Sequence, residues 1–328
     1  MRMHGAVILA RVQTACGRHY RMRAMGGSVF KYSGLVFLGG VGYGIMATIT
    51  KTGLAAGFDW TELVASQAFC GAALFLAVFA VSLVRGKRPF KPTKRELASM
   101  LLLGACSFSV SVLYNAALPG MPAAVATTFL FQYTWMGIVV QVIATRRSPN
   151  CFEVASAVTI VIGMLLVSGV VGEVPEGVEP WSVTLCLLAA LVMAVYMYLS
   201  ARVAVGREPV ERGMFVCFGA CVLAFAVCPT FFTGGALQEG VWHYGLFLGA
   251  AGLVIPVILF GIGTPHISTG LATIMASSEL PTGVIVSMLV LGEDITLLQA
   301  AGVVIILCGV VISQVPNFLI SRGLKAPR

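Results

Sequence analysis

Long apolar runs alternate with short polar or charged breaks along nearly the whole chain. Each run is close to the roughly twenty residues a helix needs to cross the hydrocarbon core of a bilayer. Ten such helices are predicted, near 33–50, 62–84, 96–117, 121–144, 152–171, 180–201, 211–233, 242–262, 267–291 and 296–316. Backbone groups in lipid must be satisfied within their own segment or in a closed barrel. The runs are too long and too evenly apolar for barrel strands, so the expected class is an all-α integral membrane protein. Two boundaries carry no charge and need their own argument. The uncharged stretch from Leu97 to Thr145 exceeds one helix, and Pro119-Gly120-Met121-Pro122 divides it, because proline lacks a backbone donor and clashes with the preceding turn. Gly261-Ile262-Gly263-Thr264-Pro265 divides the run after Trp242 in the same way.

Composition agrees with this pattern. Of the 328 residues, 58% are hydrophobic and 10% charged, against about 25% charged in soluble proteins. The net charge of +8 could suggest nucleic acid, but its distribution does not. With the N-terminus inside, every one of the 21 Lys and Arg residues except Lys51 falls on the cytoplasmic side, as the positive-inside rule requires. The outer loops carry Asp59, Glu173, Glu176, Glu179, Glu239, Glu293 and Asp294 instead. Both termini are therefore expected inside, in the inner membrane, with the lipid bilayer as partner and no nucleic acid. Nine scattered cysteines without a C-x-x-C read as small buried hydrophobes rather than disulfides or metal ligands.

Residues 119–144 and 265–290 repeat one another at an offset of 146, pairing Pro119 with Pro265, Thr127 with Thr273 and Gly137 with Gly283. The match continues without gaps to Ile160 with Ile306 and Gly163 with Gly309. Five predicted spans per half make the second half enter the membrane upside down. Such inverted repeats are a signature of secondary transporters, whose substrate site lies near the midplane between the repeats. The predicted organisation is a basic cytoplasmic tail (1–32), a first repeat (33–171), an acidic outer loop (172–179), a second repeat (180–316) and a cytoplasmic C-terminal tail (317–328). The leading tail is expected to be mobile, with Met22 or Met25 as alternative starts.

The second repeat ends with Glu279 and Pro281, then Leu291-Gly292-Glu293, then Gln299 to Gly302, then Gly309-Val310. This order resembles the EamA family of the drug/metabolite transporter superfamily. The resemblance covers about residues 33–316 as two EamA repeats. It departs from the family pattern where Leu280 separates Glu from Pro, and where Tyr133, Trp135 and Arg146-Arg147 replace the corresponding first-repeat residues. It implies a carrier of a small-molecule substrate such as an amino acid, drug, sugar or other metabolite, with export as the implied direction.

Glu279 stands about halfway along the ninth predicted span with no charged neighbour in sequence. A charge at that depth costs on the order of 3 kcal/mol even on the mildest scale, so such groups usually face a cavity and act there. Pro281 is expected to bend the helix and release the Ser277 carbonyl, with Ser278 and Thr282 flanking the notch. Glu279 is expected to carry a coupling proton or to pair with a cationic or amine-bearing substrate; a structural, hydrogen-bonded glutamic acid is the bland alternative. On the fourth span, Thr128, Gln132 and Trp135 share one helical face, and Tyr133 is the counterpart of Glu279. Tyr43, Gln67, Asn115, Gln141 and Tyr196 are further pocket candidates, with Gln132 and Trp135 preferred. Lys51 and His266 are candidate gate or proton-path groups, although a snorkelling lysine and a solvated turn histidine explain them as well.

The chain has no H-E-x-x-H, G-x-S-x-G or G-x-x-x-x-G-K-[ST], so neither an enzyme nor an ATP-driven pump is indicated, and no cofactor beyond a coupling proton. Two G-x-x-x-G pairs, Gly40/Gly44 and Gly245/Gly249, suit close internal packing and leave a homodimer open. The reading is a secondary transporter working by alternating access. The alternatives are a lipid or lipid-carrier flippase on the same fold, and a non-transporting membrane scaffold or sensor.

Overall fold

The computed structural model describes residues 2–84, 91–121, 123–146, 148–168, 178–292 and 296–321, with side chains of 29 onward for most of them. Its helices are α1 (Arg2–Ala55), α2 (Trp60–Val84), α3 (Lys94–Ala117), α4 (Ala123–Leu130), α5 (Tyr133–Thr145), α6 (Cys151–Val167) and α7 (Pro180–Ser200). They continue as α8 (Pro209–Val227), α9 (Val241–Gly249), α10 (Ile255–Gly263), α11 (Thr269–Ala276), α12 (Glu279–Leu291) and α13 (Leu297–Ser321). Among the described residues, nine stretches are long and apolar enough to cross a membrane, with α6 as a shorter apolar helix. The leading basic segment continues α1 as helix from Arg2. Arg147, Glu173, Glu176, Glu293, Asp294 and the residues after Ser321 lie outside the described residues.

The internal repeat extends to backbone detail. Adding 146 to the bounds of α4 and α5 gives those of α11 and α12. Each pair follows a single 3₁₀ turn, Leu118–Gly120 or Thr264–His266, where the expected proline breaks lie. Each second half-helix stops on a left-handed residue, Arg146 at φ 53° and Gly292 at φ 69°. Sequence reasoning expected continuous fourth and ninth spans. Both are instead broken, at Phe131–Gln132 and at Ser277–Ser278.

The break corrects the expected role of Pro281. This residue is the third of α12, where a backbone donor would have no partner within the helix. The Ser277 carbonyl is not released either, since it accepts the Leu280 N–H at 3.3 Å. Tight bonds of this kind close both breaks: Gln132 N–H to Phe129 O at 3.2 Å and Ser278 N–H to Met275 O at 3.3 Å. Pro256 does not simply kink its span. It follows a π turn at Ala250–Val254 and is the second residue of α10, where the wide turn absorbs the proline without a clash.

Lipid gives helices no hydrophobic reason to associate, so close packing must hold them. The crossing of α6 and α13 is one example. A β-carbon on Gly163 would lie 2.8 Å from Gly302 O, and one on Gly302 would lie 2.6 Å from Gly163 O. Ser156 Oγ donates to Gly309 O at 2.6 Å in the same crossing. Gly40 and Gly44 let α1 lie against the α11–α12 break, at Ala276 O and Glu279 O. Gly249 lets α9 reach the Gly71 amide of α2. Both G-x-x-x-G pairs are thus used inside the bundle. Phe75, Met100, Phe108, Ile160 and Phe260 fill the interior, while Ile143, Val222, Leu289 and Val311 stand outward, as an apolar solvent demands.

Candidate functional site

A cavity of about 410 Å³ enters the bundle from the end that carries Lys51, Leu54, Ser168 and Gln299, and reaches Glu279, Tyr43 and Tyr133. Its α1 wall runs from Tyr43 to Leu54, about 16 Å of helix at 1.5 Å per residue. The α3 wall is a stripe of Ser107, Ser111, Tyr114, Asn115 and Leu118, which helical spacing places on one face. Phe131 and Tyr133 follow from the first break, and Glu279, Leu280, Gly283, Val284 and Ser287 from the second helix pair. Met164, Val167 and Met193 complete an apolar lining. Of two other hollows, one of about 450 Å³ sets Glu239 beside a single tyrosine, Tyr244, and one of about 400 Å³ at Glu153, His266 and Ser268 has no tyrosine among its described lining.

Glu279 is the first residue of α12. The partial positive charge of a helix N-terminus favours a carboxylate there by about 0.3–1 kcal/mol. No hydrogen bond or ion pair from another described residue reaches its carboxyl. Three phenol rings, Tyr43, Tyr114 and Tyr133, lie within electrostatic reach of it. Tyr133 is 1% exposed, and its hydroxyl has no hydrogen-bond partner. Thr48 Oγ1 and Asn115 Oδ1 are likewise buried without a partner, and both residues line the cavity. The Asn115 amide is not free to turn, because its Nδ2 donates to Ser111 O at 2.8 Å. Buried polar atoms are almost always paired, so several orphans in one open cavity are groups that entering water or a solute would satisfy.

The opposite half of the bundle is closed. Thr134 and Ser277 join α5 to the second break, hydroxyl to hydroxyl at 3.1 Å. Thr273 Oγ1 donates to Thr134 O at 3.1 Å. Gln141 Oε1 accepts the Gly270 N–H at 2.8 Å and so caps the start of α11. Beyond them, Tyr32 stacks on His266 with ring centroids 3.7 Å apart, and Arg207 pairs with Glu96 at 2.7 Å.

The sequence-predicted residues therefore separate into two groups. Glu279, Tyr133, Tyr43, Asn115 and Lys51 meet at the cavity. Pro281, Ser278, Thr282, Gln132, Trp135, Thr128, Gln67, Gln141, Tyr196 and His266 are not part of its wall. Ser278 donates to Phe37 O at 2.7 Å and ties the break to α1, while Thr282 donates to Ser278 O at 2.9 Å within the first turn of α12. Gln132 accepts from Trp135 Nε1 at 2.7 Å and donates to Thr128 O at 3.0 Å. The predicted shared face is real, but Trp135 is 42% exposed on the outside of the bundle. Gln67 meets Met46 Sδ at 3.4 Å, and His266 Nδ1 lies 3.0 Å from Ile262 O. Tyr196 is buried beside Phe260. Sequence reasoning passed over Thr48, Ser107, Ser111, Tyr114 and Ser287, although Ser107, Ser111 and Asn115 stand four residues apart and form a readable stripe.

Arg212, counted with the loop charges from sequence, is instead 5% exposed at the start of α8. It donates to Ser200 O at 2.7 Å. Among the described cysteines none forms a disulfide, and no cluster of metal-ligating side chains occurs among the described residues.

Residues 31–169 and 180–314 each match the EamA-like transporter family model. A crystal structure superposes with a TM-score of 0.66 at 16% identity, covering 86% of this chain and 95% of that chain. At that identity the likeness concerns the fold alone. No curated protein sequence matches the chain.

Proposed function

The chain belongs to the EamA-like transporter family, and from that premise we propose that it is a secondary transporter carrying a small metabolite or drug-like molecule across the inner membrane. The observation behind this reading is the cavity that ends at Glu279, between the two broken helix pairs, with an entrance at one end and packed side chains beyond it. A solute site near the middle of the membrane, at the interface between repeats, is what alternating access needs. The charge pattern puts Lys94, Arg95, Arg146 and Arg207 on the cytoplasmic side, so the cavity in this conformation opens outward. Export is the preferred direction, and Glu279 the preferred carrier of a coupling proton, since its carboxyl is the one acid among the described residues of the cavity wall.

Comparative metabolomics of cells and medium tests this reading, using strains with wild type, Glu279→Gln or no protein at matched membrane levels. The expected result is one class of metabolite moved to the medium by wild type and retained by the other two strains. Redistribution by both protein-bearing strains would remove Glu279 from the mechanism. Identical profiles in all three strains would overturn transport.

A further inference from the structure

We infer that the cavity selects organic amines: a protonated amino group bound at Glu279 and Tyr133, carried on an apolar body that lies against Val110, Phe131, Met164, Met193 and Val284. The inference rests on the transporter reading above and adds the chemical class of its substrate.

The unpaired atoms of the cavity carry the argument. Glu279 offers carboxyl oxygens with no partner among the described residues. Asn115 offers its carbonyl oxygen, which has no partner, while its amide N–H₂ gives one hydrogen to Ser111 O at 2.8 Å. A swap of amide oxygen and nitrogen would set two carbonyl oxygens against each other, so the acceptor must face the cavity. The Thr48 and Tyr133 hydroxyls are also unpartnered, at 3% and 1% exposure, and a hydroxyl accepts as readily as it donates. The wall is therefore rich in acceptors, and its missing complement is a donor.

Charge points the same way. Glu279 and Lys51 are the charged groups on the described wall, and Lys51 stands at the mouth while Glu279 stands at the base. No arginine is among the described residues of the wall, so a carboxylate or phosphate entering head first would meet a carboxyl and tyrosine oxygens with no cation among them at the base to receive it. An ammonium meets the carboxyl directly, and the electron-rich faces of nearby tyrosines add cation–π attraction. Between base and mouth, Val110, Leu130, Phe131, Met164, Met193 and Val284 offer apolar surface. A polar head at the base with an apolar body above it fits this division.

Three probes with one body separate the possibilities: phenethylamine, phenethyl alcohol and phenylpropionate. Binding to the purified full chain in detergent is read by isothermal titration at neutral pH. Wild type is expected to bind the amine about tenfold or more tighter than the alcohol, the range of a charge-assisted hydrogen bond, and to bind the carboxylate weakest. Glu279→Gln should lose that preference while still binding the alcohol, which reports an intact cavity. Glu279→Asp, which keeps the charge, should retain most of it. Preference for the carboxylate, equal binding of amine and alcohol, or an amine preference that survives Glu279→Gln would overturn the assignment. So would the absence of binding by all three probes at millimolar concentration. Flux of radiolabelled phenethylamine into proteoliposomes then separates the two readings. Glu279-dependent binding without flux keeps the amine site and removes transport; flux of the alcohol and carboxylate as fast as the amine keeps transport and removes the class.

Discussion

At the scale of single residues, Glu279 stands on the cavity wall while Trp135 faces outward. Glu279 was legible because an acid inside an apolar run has few reasons to exist. Trp135 was not, because spacing groups residues on a face without saying which way the face looks. Its indole and Gln132 hydrogen-bond each other at 2.7 Å on the outside of the bundle. Trp135→Leu should therefore leave ligand binding within about twofold of wild type, since it changes one lipid-facing contact. Asn115→Leu should act differently. It removes an acceptor from the cavity wall, and a lost neutral hydrogen bond of about 0.5–1.5 kcal/mol predicts ligand binding about two- to tenfold weaker. Titration calorimetry on the two variants beside wild type checks both expectations; a larger loss in Trp135→Leu would move the site toward the bundle exterior.

At the scale of helices, the spans were legible from apolar run length and the repeat from the 146-residue offset, but the breaks were not. Neither Phe131–Gln132 nor Ser277–Ser278 contains a residue that stops a helix by itself. What holds these breaks is tertiary: the Thr134–Ser277 hydroxyl pair, Ser278 on Phe37 O, and Gly44 of α1 lying against Glu279 O. A sequence window cannot see such partners. Gly44 is the position where this support is least forgiving. Its absent β-carbon would sit 2.6 Å from Thr282 Cβ and 2.9 Å from Gly283 N, and these neighbours belong to a packed helix that cannot rotate aside. Gly44→Val should push α12 away from α1, at an overpacking cost of about 1–3 kcal/mol. The measurement is thermal unfolding in detergent, where a lowered midpoint is expected; an unchanged midpoint would mean that α12 is free to shift. Gln141→Leu, at the other end of the same arrangement, leaves the Gly270 N–H without its acceptor and should cost about 1–3 kcal/mol.

At the scale of the whole molecule, two equivalent glycines differ in their surroundings, and the difference describes the conformation. A β-carbon on Gly137 would come within 2.9 Å of Thr273 Cβ, in the closed half. At its counterpart Gly283 the nearest atom is Gly44 O at 3.7 Å, and the residue lines the cavity. The counterpart of Thr273 is Thr127, which also lines the cavity. If the two halves exchange conformations, as repeats of this kind do, the opposite state brings Thr127 onto Gly283 as tightly as Thr273 now lies on Gly137. The two substitutions then have opposite effects. Gly283→Ala fits the present state and obstructs the other, so ligand binding should stay near wild type. Transport should fall about tenfold or more, because each 1.4 kcal/mol of overpacking in the closed state is a factor of ten. Gly137→Ala strains the half that is now closed and should favour its opening. Aqueous thiol labelling of Ile138→Cys, at a position now 8% exposed, should therefore be faster in the Gly137→Ala background than in the otherwise wild-type background. Equal labelling in both backgrounds, together with full transport by Gly283→Ala, would mean that the halves do not exchange roles.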